Sequence, residues 1–173
     1  TFPLRDLAAD LLEDQKKSWP KLGEGYAALG AVRMREIGGE GPRVEVQFNA
    51  QRRLSSAAPV DPESIRQRPC FLCLRNLPSK QAGILYREKD FILCNPAPVF
   101  PAHYTIAHLR HLPQAISDHP GAFLQLAEDF GPRMTLFYNG PRCGASAPDH
   151  LHFQAAPAGL LPVEKEILDP RKR

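Results

Sequence analysis

The sequence predicts an α+β domain in which an antiparallel sheet of five or six strands carries helices packed on one face. Three observations predict this class. Short segments with the alternation or the apolar runs of strands recur along the chain. Apolar residues follow helical spacing at 4–19 and at 121–130. Strands and helices do not alternate regularly, which favours an antiparallel sheet with segregated helices.

Length, composition and charge limit the classes of protein. The 173 residues suit one ordinary domain, and 43% hydrophobic with 24% charged residues are typical of soluble globular proteins. No apolar run approaches the roughly 20 residues that span a bilayer, and no signal peptide is visible, so we expect a cytoplasmic protein with no membrane partner. Thr1 in first place indicates a trimmed chain or a leader. The net charge of +3 suits phosphorylated substrates and is too small to indicate nucleic acid binding.

The N-terminal part predicts one helix followed by a β-hairpin. The helix at 4–19 should end at Pro20, because proline lacks the N–H that continues a helix. Residues 26–37 and 43–50 alternate as strands do, and the glycine-rich cluster at 38–42 is typical of the turn between them. We therefore expect two long paired strands.

Two cysteines at 70 and 73 form the first chemical signal. Cys-x-x-Cys indicates half a zinc site, a redox pair or a coincidence. A redox pair follows a strand of a βαβ unit, which is not visible here, and a disulfide framework is typical of secreted proteins. A zinc site needs two further ligands, for which histidines are candidates. Cys94 and Cys143 have no partner at metal-ligand spacing and are interpreted as buried or loop cysteines.

The middle of the chain predicts most of the sheet. Short strands are expected at 84–86 and 91–94, then a proline-rich loop at 95–101, then a further strand that begins near His103. A helical region should open at 113–116 and resume at 121–130, where Gly131 and Pro132 stop it. A last apolar strand is expected at 134–139.

The stretch 143–154 carries the second chemical signal. Alternation along a strand places His150, His152 and Gln154 on one face, which we expect to be exposed, while Leu151 and Phe153 point into the core. The small residues at 144–146 let a backbone approach a ligand closely and offer N–H groups to an anion. The pattern therefore favours a phosphate held by backbone and hydroxyl groups while a histidine acts on it.

His-x-His-x-Gln after a Gly-x-Ser turn resembles the histidine-triad superfamily, and in particular its transferase branch. That branch includes galactose-1-phosphate uridylyltransferase, diadenosine tetraphosphate phosphorylase and GDP-L-galactose phosphorylase. The resemblance covers about 43–157. Asp149 and Leu151 depart from the uridylyltransferase pattern, which favours the phosphorylases, and the likeness is greatest to an uncharacterised bacterial branch. The implied fold is histidine-triad-like.

The resemblance also implies an activity, which is nucleotidyl transfer or phosphorolysis through a nucleotidyl-histidine. Gln rather than His in the third place of the motif favours transfer over hydrolysis. The substrate would be a nucleoside diphosphate sugar or a dinucleoside polyphosphate, and the acceptor a phosphate or sugar phosphate. His152 would be the nucleophile and Gln154 a hydrogen-bond donor. Substrate-binding residues would be Asn49, Arg52, Asn95, Asn139, Gly144 and Ser146, with Phe91 or Phe100 near the nucleoside.

By the same resemblance, Cys70, Cys73, His111 and His150 would hold one structural zinc ion, with His108 as the competing third ligand. Relatives in this branch are about twice as long and repeat the fold, so the chain is expected to be a fragment. We expect a domain at 1–158, an exit or linker at 159–173, and a second domain or a second copy as partner. A histidine-triad hydrolase and a non-catalytic nucleotide-binding zinc protein stay open as alternatives. A zinc-knuckle nucleic acid binder would need more basic and aromatic residues than those around 66–75.

Overall fold

The chain forms two antiparallel sheets and five α-helices over the residues that the computed structural model describes, which are 3–38, 44–52 and 60–168. The smaller sheet pairs β1 with β2, and the larger sheet has the order β3-β4-β5-β7-β6 with every neighbouring pair antiparallel. The strands are β1 (Arg33–Ile37), β2 (Val44–Phe48), β3 (Gly83–Tyr86), β4 (Asp90–Cys94), β5 (Tyr104–His108), β6 (Met134–Phe137) and β7 (His152–Pro157). The helices are α1 (Leu4–Ser18), α2 (Pro20–Ala27), α3 (Pro62–Gln67), α4 (Pro120–Phe130) and α5 (Pro162–Leu168).

One face of the larger sheet packs against α1, α2 and α4 to form the main core. Ile92, Ile106 and Phe153 lie on this face of β4, β5 and β7, and each is at most 1% exposed. Burying a side chain of this size contributes about 1.5–3 kcal/mol relative to leaving it exposed. The helices add further buried residues to the same cluster: Ala8, Leu12, Leu22, Leu126 and Phe130. The predicted α+β class, with helices on an antiparallel sheet of five strands, is confirmed.

The prediction of one strand over 26–37 is wrong in its first half. Helix α2 runs to Ala27, a 3-10 turn occupies Ala28–Ala31, and only Arg33–Ile37 is extended. Pro20 ends α1 as predicted, but it also occupies the first turn of α2, where its fixed φ favours a new helix. The alternation at 26–31 involves mainly small residues, which pack in a helix as well as in a strand.

Strands β1 and β2 pair as predicted, and they form a ribbon apart from the larger sheet. Val44, Val46 and Phe48 are 53%, 42% and 62% exposed, so the alternation predicted the pairing and not a buried face. The side-chain amide of Gln47 donates to the carbonyl of Val99 at 3.0 Å and ties the ribbon to the loop after β4. Residues 39–42 of the predicted turn lie outside the described residues.

The strands predicted at 84–86, 91–94 and 134–139 correspond to β3, β4 and β6. A 3-10 turn at Ile116–Asp118 replaces the helix start expected at 113–116, and α4 follows and ends at Gly131, whose φ is 73°. Beyond 158 the chain forms α5, where the Glu164 carboxylate accepts hydrogen bonds from Thr135 and from two backbone N–H groups. Among the described residues, no helix has the length and apolar character needed to cross a bilayer.

Candidate functional site

Strand β7 presents His152 and Gln154 on the face opposite the helices. Phe153 and Ala155 alternate with them and lie in the core, as the period of a strand requires. The prediction that His150 shares this strand face is wrong, because β7 begins at His152 and His150 lies in the preceding turn. The expectation of exposure is also wrong, because His150, His152 and Gln154 are 0%, 6% and 9% exposed. Loops carrying Leu72 and Ala147 pack over this face and bury it.

Gln114 holds the start of β7 in place. The side-chain oxygen of Gln114 accepts the backbone N–H of His152 at 2.7 Å. The side-chain amide of Gln114 donates to the carbonyls of His152 and Asn139 at 3.0 and 2.9 Å. Pairing between β6 and β7 extends only to Phe137 opposite Gln154, so Gln114 makes the bonds that β6 no longer makes. This glutamine is 3% exposed, and nothing in the sequence around it indicated its role.

The ring of His152 is fixed in one tautomer. Its Nδ1 lies 2.8 Å from the carbonyl of His150, so Nδ1–H donates and Nε2 keeps its lone pair. Burial, with a smaller contribution from His150, lowers the pKa of His152, while the bond to the His150 carbonyl acts in the opposite direction. The ring is therefore neutral near pH 7, the state in which an imidazole is a nucleophile.

His103 orients the side chain of Gln154. The backbone N–H of Val99 donates to His103 Nδ1 at 3.2 Å, so the ring hydrogen is on Nε2, which donates to Gln154 Oε1 at 2.8 Å. The ring stacks on Phe137 with centroids 6.0 Å apart. Burial lowers the pKa of His103 to about 4, so the ring is neutral at ordinary pH. This bond fixes which end of the Gln154 side chain is the carbonyl oxygen, and therefore where its amide donor lies.

A cavity of about 550 Å³ opens over these side chains, within the range of small-molecule sites. His152, Gln154 and His103 line it, and so do five of the six residues expected to bind substrate: Arg52, Asn95, Asn139, Gly144 and Ser146. Asn49 and Phe91 are not among its described lining residues, whereas Phe100 is. The carbonyl of Asn49 accepts the N–H of Arg52 at 3.1 Å, so this spacing is that of a turn.

The turn before β7 contains one glycine with a left-handed backbone conformation. Gly144 has φ 85°, and apart from its two chain neighbours no described residue has an atom within 4 Å of the position a Cβ would take, so a ligand can approach the backbone there. Gly144 and Ser146 are exposed and Ala145 and Ala147 are buried, and all four residues line the cavity. Asn95, across the cavity, accepts the N–H of Ala97 at 2.9 Å and donates to Thr105 at 3.3 Å. Its side chain therefore also stabilises the loop after β4.

Cys70, Cys73, His111 and His150 converge beside this turn, with one candidate ligand atom from each lying within 4.8 Å of the others. The Sγ of Cys70 and of Cys73 lie 3.3 and 3.6 Å from His150 Nδ1, and His111 Nδ1 lies 3.3 Å from the Sγ of Cys73. Sulfur and nitrogen ligands around tetrahedral zinc are about 3.6 Å apart. The donor set and the spacing therefore fit such a metal, and these are the four residues that the sequence predicted.

The remaining ring nitrogens of both histidines have partners that suit a ligand role. His150 Nε2 lies 2.7 Å from the carbonyl of His108, and His111 Nε2 lies 3.3 Å from the carboxylate of Asp149. Such contacts fix the ring and leave Nδ1 to a metal. The group of converging ligand atoms does not include His108, whose Nδ1 accepts the N–H of Arg110 at 3.0 Å. Cys94 is buried and Cys143 is exposed.

The comparison with family models decides the family. Residues 11–157 match the model described as a domain of unknown function, DUF4922. The chain belongs to this family. A comparison with curated proteins gave no match.

Solved structures with a similar backbone include yeast Ap4A phosphorylase Apa2 in complex with Ap4A, at 16% identity and a TM-score of 0.48, over 91% of this chain and 56% of that one. The same yeast enzyme in a second structure gives 17% identity and a TM-score of 0.42, over 88% and 51% of the two chains. A histidine triad protein from Clostridium difficile gives 16% and 0.36, over 54% and 90%. The chain spans about half the length of the yeast enzyme. At these scores the similarities assign no substrate or residue role to this chain.

Proposed function

We propose that the chain catalyses nucleotidyl transfer through a covalent intermediate on His152, with a nucleoside diphosphate sugar or a dinucleoside polyphosphate as substrate. The observation that carries the proposal is the His152 ring, neutral and held through Nδ1 by the His150 carbonyl, in a cavity that the turn at 144–146 also lines. The histidine-triad-like motif at 150–154 supports the same assignment.

In the first step Nε2 of His152 attacks the α-phosphorus. The new P–N bond forms as the P–O bond to the leaving group breaks, and the leaving oxygen takes the electron pair. The leaving group is a sugar phosphate from a nucleoside diphosphate sugar, or a nucleoside polyphosphate from a dinucleoside polyphosphate. In the second step an oxygen of inorganic phosphate or a sugar phosphate attacks the same phosphorus, and the P–N bond breaks to free His152. Two easier steps replace one hard displacement, which is the general advantage of covalent catalysis.

Donors from Gln154 and from the turn at 144–146 would stabilise the charge on the transferred phosphoryl group. The amide of Gln154, whose carbonyl is engaged by His103, would donate to a phosphoryl oxygen. The backbone N–H groups of the turn and the hydroxyl of Ser146 would donate to the others. Donors that are already oriented cost little reorganisation when the charge develops.

A zinc ion on Cys70, Cys73, His111 and His150 would act structurally, because four protein ligands leave no open position for substrate. These residues come from three segments distant in sequence. Holding His150 also holds its carbonyl, which fixes the tautomer of His152. The metal centre would therefore support the nucleophile without contacting the reacting phosphorus.

The test compares the two histidines of the motif. His152→Ala should retain bound metal and thermal stability and lose essentially all turnover. His150→Ala should lose metal and melt at a lower temperature. Brief incubation of the wild-type protein with labelled substrates, followed by denaturation in base and mass spectrometry, should reveal an acid-labile nucleotide on His152. Turnover of His152→Ala near the wild-type rate would refute the covalent mechanism.

A further inference from the structure

The cavity has a marked charge preference that the proposed chemistry at His152 does not account for. Among the described residues that line it, three are cationic, Lys21, Arg52 and Arg68, and none is acidic. Arg68 lies on the side of the turn at 144–146, as its contacts show.

Two contacts hold Arg68 in this position. Its Nη2 donates to the carbonyl of Ser146 at 2.7 Å, and its guanidinium carbon lies 5.3 Å from the centroid of the Phe71 ring. The bond to Ser146 uses one of the five N–H groups of a guanidinium. Because Ser146, Phe71 and Arg68 all line the cavity, an arginine donor is placed beside the turn where the phosphoryl group would lie.

The backbone on both sides of this contact leads directly to the candidate metal ligands. Arg68 precedes Cys70 by two residues, and Ser146 precedes His150 by four. The group at Cys70, Cys73, His111 and His150 thus ties together the two segments that the bond from Arg68 to Ser146 also joins. A long side chain held at both its base and its tip loses less entropy on binding a ligand.

We infer that Arg68 binds the phosphate next to the one that His152 attacks, which makes the site selective for substrates with at least two linked phosphates. The inference rests on the proposed function for the identity of the attacked phosphorus. As the P–O bond breaks, negative charge accumulates on the leaving phosphate, and a guanidinium can pair with two of its oxygens at once. Arg68 would therefore stabilise the leaving group and, in the second step, receive the attacking phosphate.

The experiment measures binding of inorganic pyrophosphate and of orthophosphate by titration calorimetry, at low and at moderate salt. Arg68→Ala should weaken pyrophosphate binding about tenfold or more, since a charge-assisted pair is lost. Arg68→Gln retains an amide that can donate to the Ser146 carbonyl, yet it should lose as much affinity as Arg68→Ala. Arg68→Lys keeps the positive charge but not the paired donors of a guanidinium, so its affinity for pyrophosphate should lie between those of the wild type and Arg68→Ala. Arg66→Ala is the matched control, because Arg66 is exposed, pairs with Glu63 at 2.7 Å and is not among the described lining residues.

The outcomes separate this inference from the proposed function. If Arg68→Gln binds pyrophosphate as the wild type does, Arg68 only anchors the turn and the inference is wrong. The same holds if the wild-type protein does not prefer pyrophosphate to orthophosphate, or if Arg66→Ala weakens binding equally. If the Arg68 variants lose pyrophosphate binding but wild-type His152 carries no nucleotide adduct, the anion site at Arg68 is supported and the proposed function is refuted. If wild-type His152 carries the adduct but the Arg68 variants bind pyrophosphate normally, the proposed function is supported and the inference about Arg68 is refuted.

Discussion

His103→Gln should make the stability of the protein less dependent on pH. The ring of His103 is 3% exposed, and burial lowers its pKa to about 4, against about 6.5 in an unfolded chain. Above pH 7 the ring is neutral in the folded protein and in the unfolded chain, so the lowered pKa has no effect on stability. As the pH falls through 6.5, the unfolded chain takes up a proton that the folded protein does not. Stability therefore decreases towards acid, and the decrease ends near the folded pKa.

The magnitude follows from the two pKa values. Between pH 7.5 and pH 5 the proton uptake by the unfolded chain should lower the free energy of unfolding by about 2 kcal/mol. Glutamine does not titrate and retains an amide that can donate to Gln154. It loses the acceptor for the Val99 N–H and the stacking on Phe137, so at pH 7.5 the variant should be less stable by about 1–2 kcal/mol. The stability curves of the two proteins should therefore converge towards pH 5.

The assay is urea unfolding of the wild type and His103→Gln at several values of pH from 7.5 to 5. Other titrating groups, including the candidate metal ligands, are present in both proteins, so their contributions cancel in the difference. His103→Phe is the companion variant, because it removes the donor to Gln154 and frees its amide to rotate; turnover should fall further than in His103→Gln. Parallel stability curves would refute the reasoning, since they would mean that His103 titrates alike in the folded and unfolded states.

Two other predictions concern the metal and the acceptor. In a metal assay by mass spectrometry, protein purified without added zinc should contain about one equivalent of zinc. Cys73→Ser should contain less than half an equivalent and melt at a lower temperature. Cys143 is exposed, and Cys143→Ser is the control that should match the wild type. Inorganic phosphate should accelerate substrate loss and yield a nucleoside diphosphate in a chromatographic assay; a monophosphate as the only product, whatever the phosphate concentration, would favour a hydrolase.

The sequence by itself was sufficient for features that depend on local periodicity and spacing. Alternation alone places His152 and Gln154 on one face of β7 and Phe153 on the other, because successive side chains of a strand point in opposite directions. The Cys-x-x-Cys spacing likewise indicated half of a metal site, and the resemblance of the motif at 150–154 supplied His111 and His150. Most strands of the larger sheet were predicted for the same reason.

Only the tertiary structure decided which distant side chains meet at the site. Gln154 is separated from His103 by 51 residues, His152 from Gln114 by 38, and Ser146 from Arg68 by 78. No local pattern encodes these pairs, since they depend on the paths of the loops over the sheet. The same holds for the burial of His150 and for the exposure of the β1–β2 ribbon. A period-2 pattern specifies that two faces differ, but whether a face is covered depends on which other segments pack against it.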